Sequence, residues 1–456
     1  MLLTVSISCS LSLALTAYFF FVARRRVVIG PEGIFLVLNT GTYIATLHAA
    51  SISGIATYPY CDFIGLGLIS FVFGTAASIL TWRFNHRRSQ EIFLERPWID
   101  DVRGAKLVFI SATVLVALAV VGTYFYLLGF FVPHAALQAF LGSGSEEMAT
   151  AYNALRRQTS ATGTYLAAGY VFQFKNCLLP LATIITYFKL RKTPRLATSF
   201  VLVFLAVMTV LATIGTGARF ALAFFVGSFL IISCSHLARP FRLTGRLAVL
   251  IGVALLLALS LLTLMMGSRG REKETDIPLL WSVYQVLDRV VVSPAEERLQ
   301  IFDLFLQYEE PQMGRIALEN LRILLPGRQE DTLANQMHEL LYGSATGNAG
   351  PDFWGLIWYD FQWFGLLISF FVGFLFNSYY IATLRGPKRM TRVVTLLFAG
   401  LILGSATDLL VLILRGFLTC MLFLGLANLA GIIPKLLRPS ARFSSGTLAE
   451  RGNPCR

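Results

Sequence analysis

Residues 62–82 read DFIGLGLISFVFGTAASILTW, residues 83–106 read RFNHRRSQEIFLERPWIDDVRGAK, and residues 107–128 read LVFISATVLVALAVVGTYFYLL. A helix needs about 20 consecutive apolar residues to cross the hydrocarbon core of a bilayer. The two outer segments meet that length and hold one charged residue between them, Asp62, while the joint between them carries six Lys and Arg. The same alternation of apolar run and charged joint recurs along all 456 residues, which are 56% hydrophobic and 14% charged, with a mean hydropathy of +0.67. Soluble domains carry about a quarter charged residues. The composition therefore excludes a soluble enzyme and predicts an all-α polytopic integral membrane protein.

About eleven spans are predicted, at 2–22, 30–50, 62–82, 107–128, 162–188, 197–216, 219–237, 247–267, 364–384, 393–413 and 416–434. Four stretches follow from them: eight helices over 1–267 with a medium loop at 129–161, a large loop over 268–363, three helices over 364–434, and a tail over 435–456. Six joints are basic, at 24–26, 83–106, 189–195, 239–246, 385–392 and from Lys435 onward, and they hold 25 of the 38 Lys and Arg. Cytoplasmic loops concentrate positive charge, so these joints are expected inside, the N-terminus outside and the C-terminus inside. The net charge of +13 is then a signal of topology rather than of nucleic-acid binding. Arg24-Arg25-Arg26 follow the first apolar run and no basic residue precedes it, opposite to a cleavable signal peptide, so a retained helix is expected.

Cys9, Cys177, Cys234 and Cys420 fall inside apolar runs, Cys61 heads another and Cys455 lies in the tail, so neither a disulfide framework nor a metal site is expected. The large loop has helical punctuation. Ser293-Pro294 with Glu296 reads as a helix start, and Leu299, Phe302 and Phe305/Leu306 then form one apolar stripe, expected on the membrane surface. A second helix is expected from Arg315 to Leu325, and a third from Asp331 to a stop at Gly343.

Thirteen basic residues remain for the outer side, eleven of them Arg besides Lys175 and Lys273. The guanidinium fork matches phosphate oxygens and stays charged when desolvated. Arg219, Arg269, Arg271 and Arg415 stand at span ends, where a lipid-linked phosphate would emerge, and Arg328 follows Pro326-Gly327. Arg415 also has Asp408 as a structural ion-pair partner. The large loop is net acidic, with 8 basic and 15 acidic residues, so Arg289, Arg298, Arg315 and Arg322 are expected to pair with acids at a solvated surface. His338 lies in a polar stripe with Asp331, Asn335 and Tyr342, and reads either as a general base or as a surface residue. Asp352, Tyr359 and Asp360 stand among Phe353, Trp354, Trp358, Phe361 and Trp363. Aromatics beside carboxylates suit sugar rings, with Trp358 and Tyr359 as platforms, but they also mark membrane interfaces. Adjacent acids such as Glu296-Glu297 do not face each other on a helix and form no acid/base pair by themselves.

The chain resembles the O-antigen polymerases of the Wzy type. The resemblance lies in the many spans with one dominant late loop, in Gly215-Thr216-Gly217-Ala218-Arg219, in Gly267-Ser268-Arg269-Gly270-Arg271, in Leu325-Pro326-Gly327-Arg328, and in GPDFWGLIWYDFQWFG over 350–365. It implies a GT-C-like, metal-independent glycosyltransferase of the bacterial inner membrane, with no cofactor. The implied substrates are oligosaccharide repeat units on undecaprenyl pyrophosphate, joined on the periplasmic face, and the implied partners are membrane lipid, a chain-length regulator and a flippase. Arg219, Arg269 and Arg271 would hold the pyrophosphate, while the base is left open among His338, Asp352 and Asp360. An O-antigen ligase delivering glycan to lipid A–core, a flippase or exporter, and a non-catalytic envelope assembly protein are the alternatives.

The topology has a direct test. Single cysteines placed at Ser293 and at Ser440, in a background without other accessible thiols, are expected to react with an impermeant reagent only at position 293 from the periplasm. The opposite labelling pattern overturns the orientation.

Overall fold

The computed structural model describes residues 2–22, 30–53, 58–84, 86–127, 171, 173–215, 219–234, 293–306, 310–315, 333–343, 352–405 and 416–436. Among them are fourteen α-helices and no strand: α1 Leu2–Phe21, α2 Pro31–Ser53, α3 Tyr58–Thr81, α4 His86–Glu95, α5 Ala105–Leu127, α6 Leu179–Lys192, α7 Leu196–Gly215, α8 Arg219–Cys234, α9 Ser293–Phe305, α10 Leu333–Tyr342, α11 Phe353–Phe361, α12 Gly365–Arg385, α13 Met390–Gly404 and α14 Phe417–Leu436. A π-turn, Phe174–Leu178, runs directly into α6.

Among the described residues, six segments are long and apolar enough to cross a membrane: Leu3–Phe21, Pro31–Ile52, Pro59–Thr81, Ala105–Thr123, Leu196–Thr213 and Phe353–Arg385. Phe224–Ser233, Met390–Gly404 and Phe417–Ile432 are apolar but shorter. The expected span at 247–267 and the loop at 129–161 lie outside the described residues. One boundary moves. The apolar run expected to begin at 364 begins at Phe353, because α11 is itself apolar and buried and is joined to α12 only by the short 3₁₀ turn Gln362–Phe364.

The tightest seam joins α3 to α12. A Cβ on Gly74 would stand 1.9 Å from the Phe370 carbonyl oxygen, and one on Gly373 would stand 2.2 Å from that of Phe71. Only residues without side chains let two backbones come this close. Hydroxyls and an amide then bridge the helices: Ser369 Oγ donates to the Gly67 carbonyl at 2.7 Å, Ser70 Oγ to Leu366 at 2.7 Å, and Asn377 Nδ2 to Ser78 Oγ at 3.0 Å. Ser369, Gly373 and Asn377 recur every four residues, the spacing that keeps small residues on one helix face. α13 is the central helix. Every one of its residues except Arg392 is buried, against α2, α6, α8, α12 and α14, as befits a helix that is apolar all round.

At the Thr81 end of α3, three basic joints meet. Ile99 N–H donates to Lys388 and Met390 N–H to Ile99, each at 3.0 Å, forming an isolated parallel bridge. Arg385 donates to the Trp82 carbonyl at 2.7 Å, Lys189 bonds the Val102 carbonyl, and Trp98 stacks on Phe188 at 5.3 Å. Lys106 Nζ reaches Asp101 at 2.7 Å and Asn428 at 3.0 Å, while Thr391 N–H donates to Asp101 at 3.0 Å. Burial pushes the Asp101 carboxyl up, but Lys106 and Thr391 outweigh it and hold the group below the usual carboxylate range.

Substituting Gly373→Leu is expected to force the α3–α12 seam apart and cost at least about 3 kcal/mol, the upper range for overpacking. Gly425→Leu, where an added Cβ meets nothing within 4 Å, serves as the control. Thermal unfolding of both variants in one detergent checks the difference; equal melting temperatures would remove the seam from its central place.

Candidate functional site

At the Tyr58 end of α3 the chain gathers charge instead of capping carbonyls. Asp352 is the N-cap of α11, with its Oδ1 accepting from the Gly355 N–H at 2.9 Å. The same oxygen accepts the Tyr60 hydroxyl from the first turn of α3. Among the described residues Oδ2 makes no hydrogen bond; it meets Arg298 Nε of α9 at 3.5 Å, with the Asp352 and Arg298 side chains 9% and 25% exposed. One carboxylate oxygen is therefore saturated while the other stays open beside a guanidinium. That leaves one buried oxygen with free lone pairs beside a cation, where a donor hydroxyl could be met.

Packing sets this geometry. The Tyr60 ring stacks on Phe302 of α9 at 4.2 Å, and Phe302 meets Trp358 at 5.2 Å. Trp354 is fully buried, donates its Nε1–H to Asn39 at 2.8 Å, and lies where a Cβ on Gly67 would stand 2.2 Å from its ring. Gly365 admits Ile357 in the same way. Gln362, the first residue of the turn between α11 and α12, has φ +45°, a value L residues rarely adopt, where the chain turns from the short helix into the long one. Leu299, Phe302 and Phe305 do form one buried stripe on α9, as the sequence predicts. The stripe faces α2 and α11 rather than lipid.

Arg298 and Glu297, neighbours on α9, serve two partners. Arg298 turns to Asp352, while Glu297 feels the charge of His338 and in turn acts on Tyr342, both of α10. Burial pushes the Glu297 carboxyl up, against the pull of Arg298 and His338. His338 is half-buried with its ring 4.8 Å from Tyr342, and α10 ends at Gly343 with φ +66°, the stop expected from the sequence.

Of the residues singled out in the sequence, Asp352 caps α11, and Trp358, Tyr359 and Asp360 lie within it. Trp358 is buried among Phe63, Phe302 and Trp363, and Tyr359 packs on Phe305 at 4.4 Å. Asp360 is buried, and its carbonyl accepts the Met313 N–H at 2.7 Å. Arg219 is the first residue of α8. Arg269, Arg271, Arg328, Asp408 and Arg415 lie outside the described residues. Arg298 is the residue the sequence reading misplaced. It pairs with an acid, but with the mostly buried Asp352, 54 positions away, and not at a solvated surface. Tyr60 carried no sequence signal beyond its place at the head of a span. Among the described residues no group of three or more His, Cys, Asp or Glu is placed to hold a metal.

Asp352→Asn preserves the cap and an acceptor for Tyr60 but removes the charge, so a loss of about 1 kcal/mol is expected. Asp352→Ala removes cap, acceptor and counter-ion together and is expected to cost about 2–4 kcal/mol. Melting temperatures of the two variants check the order. Equal losses would show that the hydrogen bonds at Oδ1 contribute nothing.

Compared with known proteins, the chain matches no protein-family model, no curated protein and no solved structure.

Proposed function

We propose that the chain is a GT-C-like glycosyltransferase that polymerises oligosaccharide repeat units carried on undecaprenyl pyrophosphate, at the outer face of the bacterial inner membrane. The observation that carries this reading is the cluster of Arg298, Asp352 and Tyr60, flanked by Glu297 and His338, at the end of α3 opposite the basic joints. Positive-inside charge bias makes the basic joints cytoplasmic, which leaves the cluster on the periplasmic side. The sequence resemblance over 350–365 covers Asp352 and all of α11.

In the proposed reaction a sugar hydroxyl oxygen of one unit bonds to the anomeric carbon at the reducing end of the growing chain. The bond from that carbon to the pyrophosphate oxygen breaks, and the lipid pyrophosphate leaves with the electron pair. The hydroxyl proton passes to a base, for which Asp352, His338 and Asp360 are the candidates, the open Oδ2 favouring Asp352. Arg219, Arg269 and Arg271, with Arg328 and Arg415, supply the cations that a departing pyrophosphate requires. The few charges within the spans favour catalysis over transport.

Purified protein with lipid-linked repeat units tests the chemistry. Arg269→Ala and Arg271→Ala are expected to abolish chain growth. Of His338→Ala and Asp352→Asn, the variant that removes the base should lose about 10²–10⁴-fold in rate. In cells, a polymerase defect leaves one capped repeat unit on a glycan gel, whereas a ligase defect leaves none. Wild-type ladders from both arginine variants overturn the reading.

A further inference from the structure

Among the described residues, two buried oxygens at the outer end of α1–α3 have no hydrogen-bond partner, and they lie on facing helices. Asp62 is 7% exposed and its Oδ1 is unpartnered; Thr4 is 5% exposed and its Oγ1 is unpartnered. The contacts at Gly65 set the register. A Cβ there would stand 2.5 Å from Ile7 of α1 and 3.3 Å from the Tyr43 hydroxyl of α2. Consecutive spans reverse direction, so α1 and α3 run the same way. Asp62 is three residues before Gly65 and Thr4 three before Ile7, so each lies one turn outward on the facing surface. A third and a fourth oxygen border the same place: Tyr43 Oη and Ser8 Oγ are bonded to each other at 2.8 Å, and Ser8 Oγ also donates to the Thr4 carbonyl at 2.8 Å. The Ser8 proton is thus committed to Thr4, the Tyr43 proton to Ser8, and lone pairs on Tyr43 remain free to accept.

A buried carboxylate in a membrane protein is costly without a counter-charge. No Lys, Arg or His forms an ion pair with Asp62 among the described residues; Arg298, on the same side of the molecule, is paired to Asp352. From this juxtaposition we propose that Asp62, Thr4, Ser8 and Tyr43 form a binding site for a small monovalent cation, sodium in the first place, between α1, α2 and α3. Hard oxygens suit such an ion, and a single carboxylate balances a single positive charge. Divalent cations gather more carboxylates or keep a shell of water. The site shares a helical turn with Tyr60, the Asp352 partner, but its argument does not depend on the polymerase reading.

The test uses the full chain in nanodiscs at constant ionic strength, with choline chloride replaced stepwise by sodium chloride. The expected result is a saturable rise of the melting temperature with sodium, as for any ligand that binds only the folded state. Asp62→Asn should abolish the rise. Tyr43→Phe should shift the half-saturating concentration upward by about fivefold, the effect of losing one oxygen contact. Thr4→Val gives a second reading should Asp62→Asn fail to fold. A wild-type melting temperature equal in sodium and choline overturns the proposal. So does a sodium response that persists in Asp62→Asn. A melting temperature that follows pH alone, alike in both salts, overturns it too, by assigning Asp62 a proton. No glycan substrate enters the measurement, so its failure is distinguishable from failure of the polymerase reading.

Discussion

The backbone-to-backbone approach of α3 and α12 is the constraint on which the rest of the described structure hangs. In lipid, burying apolar surface between helices gains little over leaving it in acyl chains, so association depends on close packing and on hydrogen bonds across the seam. Gly74 and Gly373 supply the closeness, and Ser70, Ser369, Asn377 and Ser78 supply the bonds. With that pair locked, both ends of the bundle are determined together. At one end Trp82 and Arg385 meet, and the basic joints fold over them. At the other, Gly67 receives Trp354, which seats α11 and brings Asp352 against Tyr60.

The two ends use charge differently. At the basic end, Arg96 donates to the carbonyls of Arg385 and Gly386, Arg392 to those of Ala382 and Thr383, and Lys388 to that of Leu94 while lying over Phe93 and Trp98. These cations cover carbonyls that a helix C-terminus leaves open, and their sign suits its dipole. Their role is architectural. At the Tyr58 end the cation faces a carboxylate, and that carboxylate also starts a helix. Asp352 thereby ties the start of α11 to the site: whatever draws its Oδ1 away from the Gly355 N–H also loosens the helix that carries Trp358, Tyr359 and Asp360.

Much of the secondary structure was legible from local chemistry. The start of α9 at Ser293, its stripe of Leu299, Phe302 and Phe305, and the stop of α10 at Gly343 follow from capping residues, helical periodicity and the left-handed tolerance of glycine. Less legible was what each apolar face covers. An amphipathic helix on a membrane and one packed on a protein core have the same pattern, so the burial of α9 against α2 and α11 had no separate signal. The aromatic run 353–364 was open to more than one reading for the same reason. An interfacial belt and a buried aromatic cluster share a composition, and only the Trp354–Asn39 bond and the Phe63–Trp358 contact tell them apart.

The sequence by itself determined the solvent and the periodicity: apolar runs long enough to need a membrane, basic joints to break them, and helix-compatible punctuation in the large loop. These are properties of residues within about 20 positions of one another. The tertiary structure alone decided the partners. Asp352 is 54 positions from Arg298 and 292 from Tyr60, and Trp354 is 315 from Asn39. No local pattern encodes such pairings, because they depend on which glycines let which helices touch. A charged residue whose partner is supplied by another helix looks, in sequence, the same as one supplied by water.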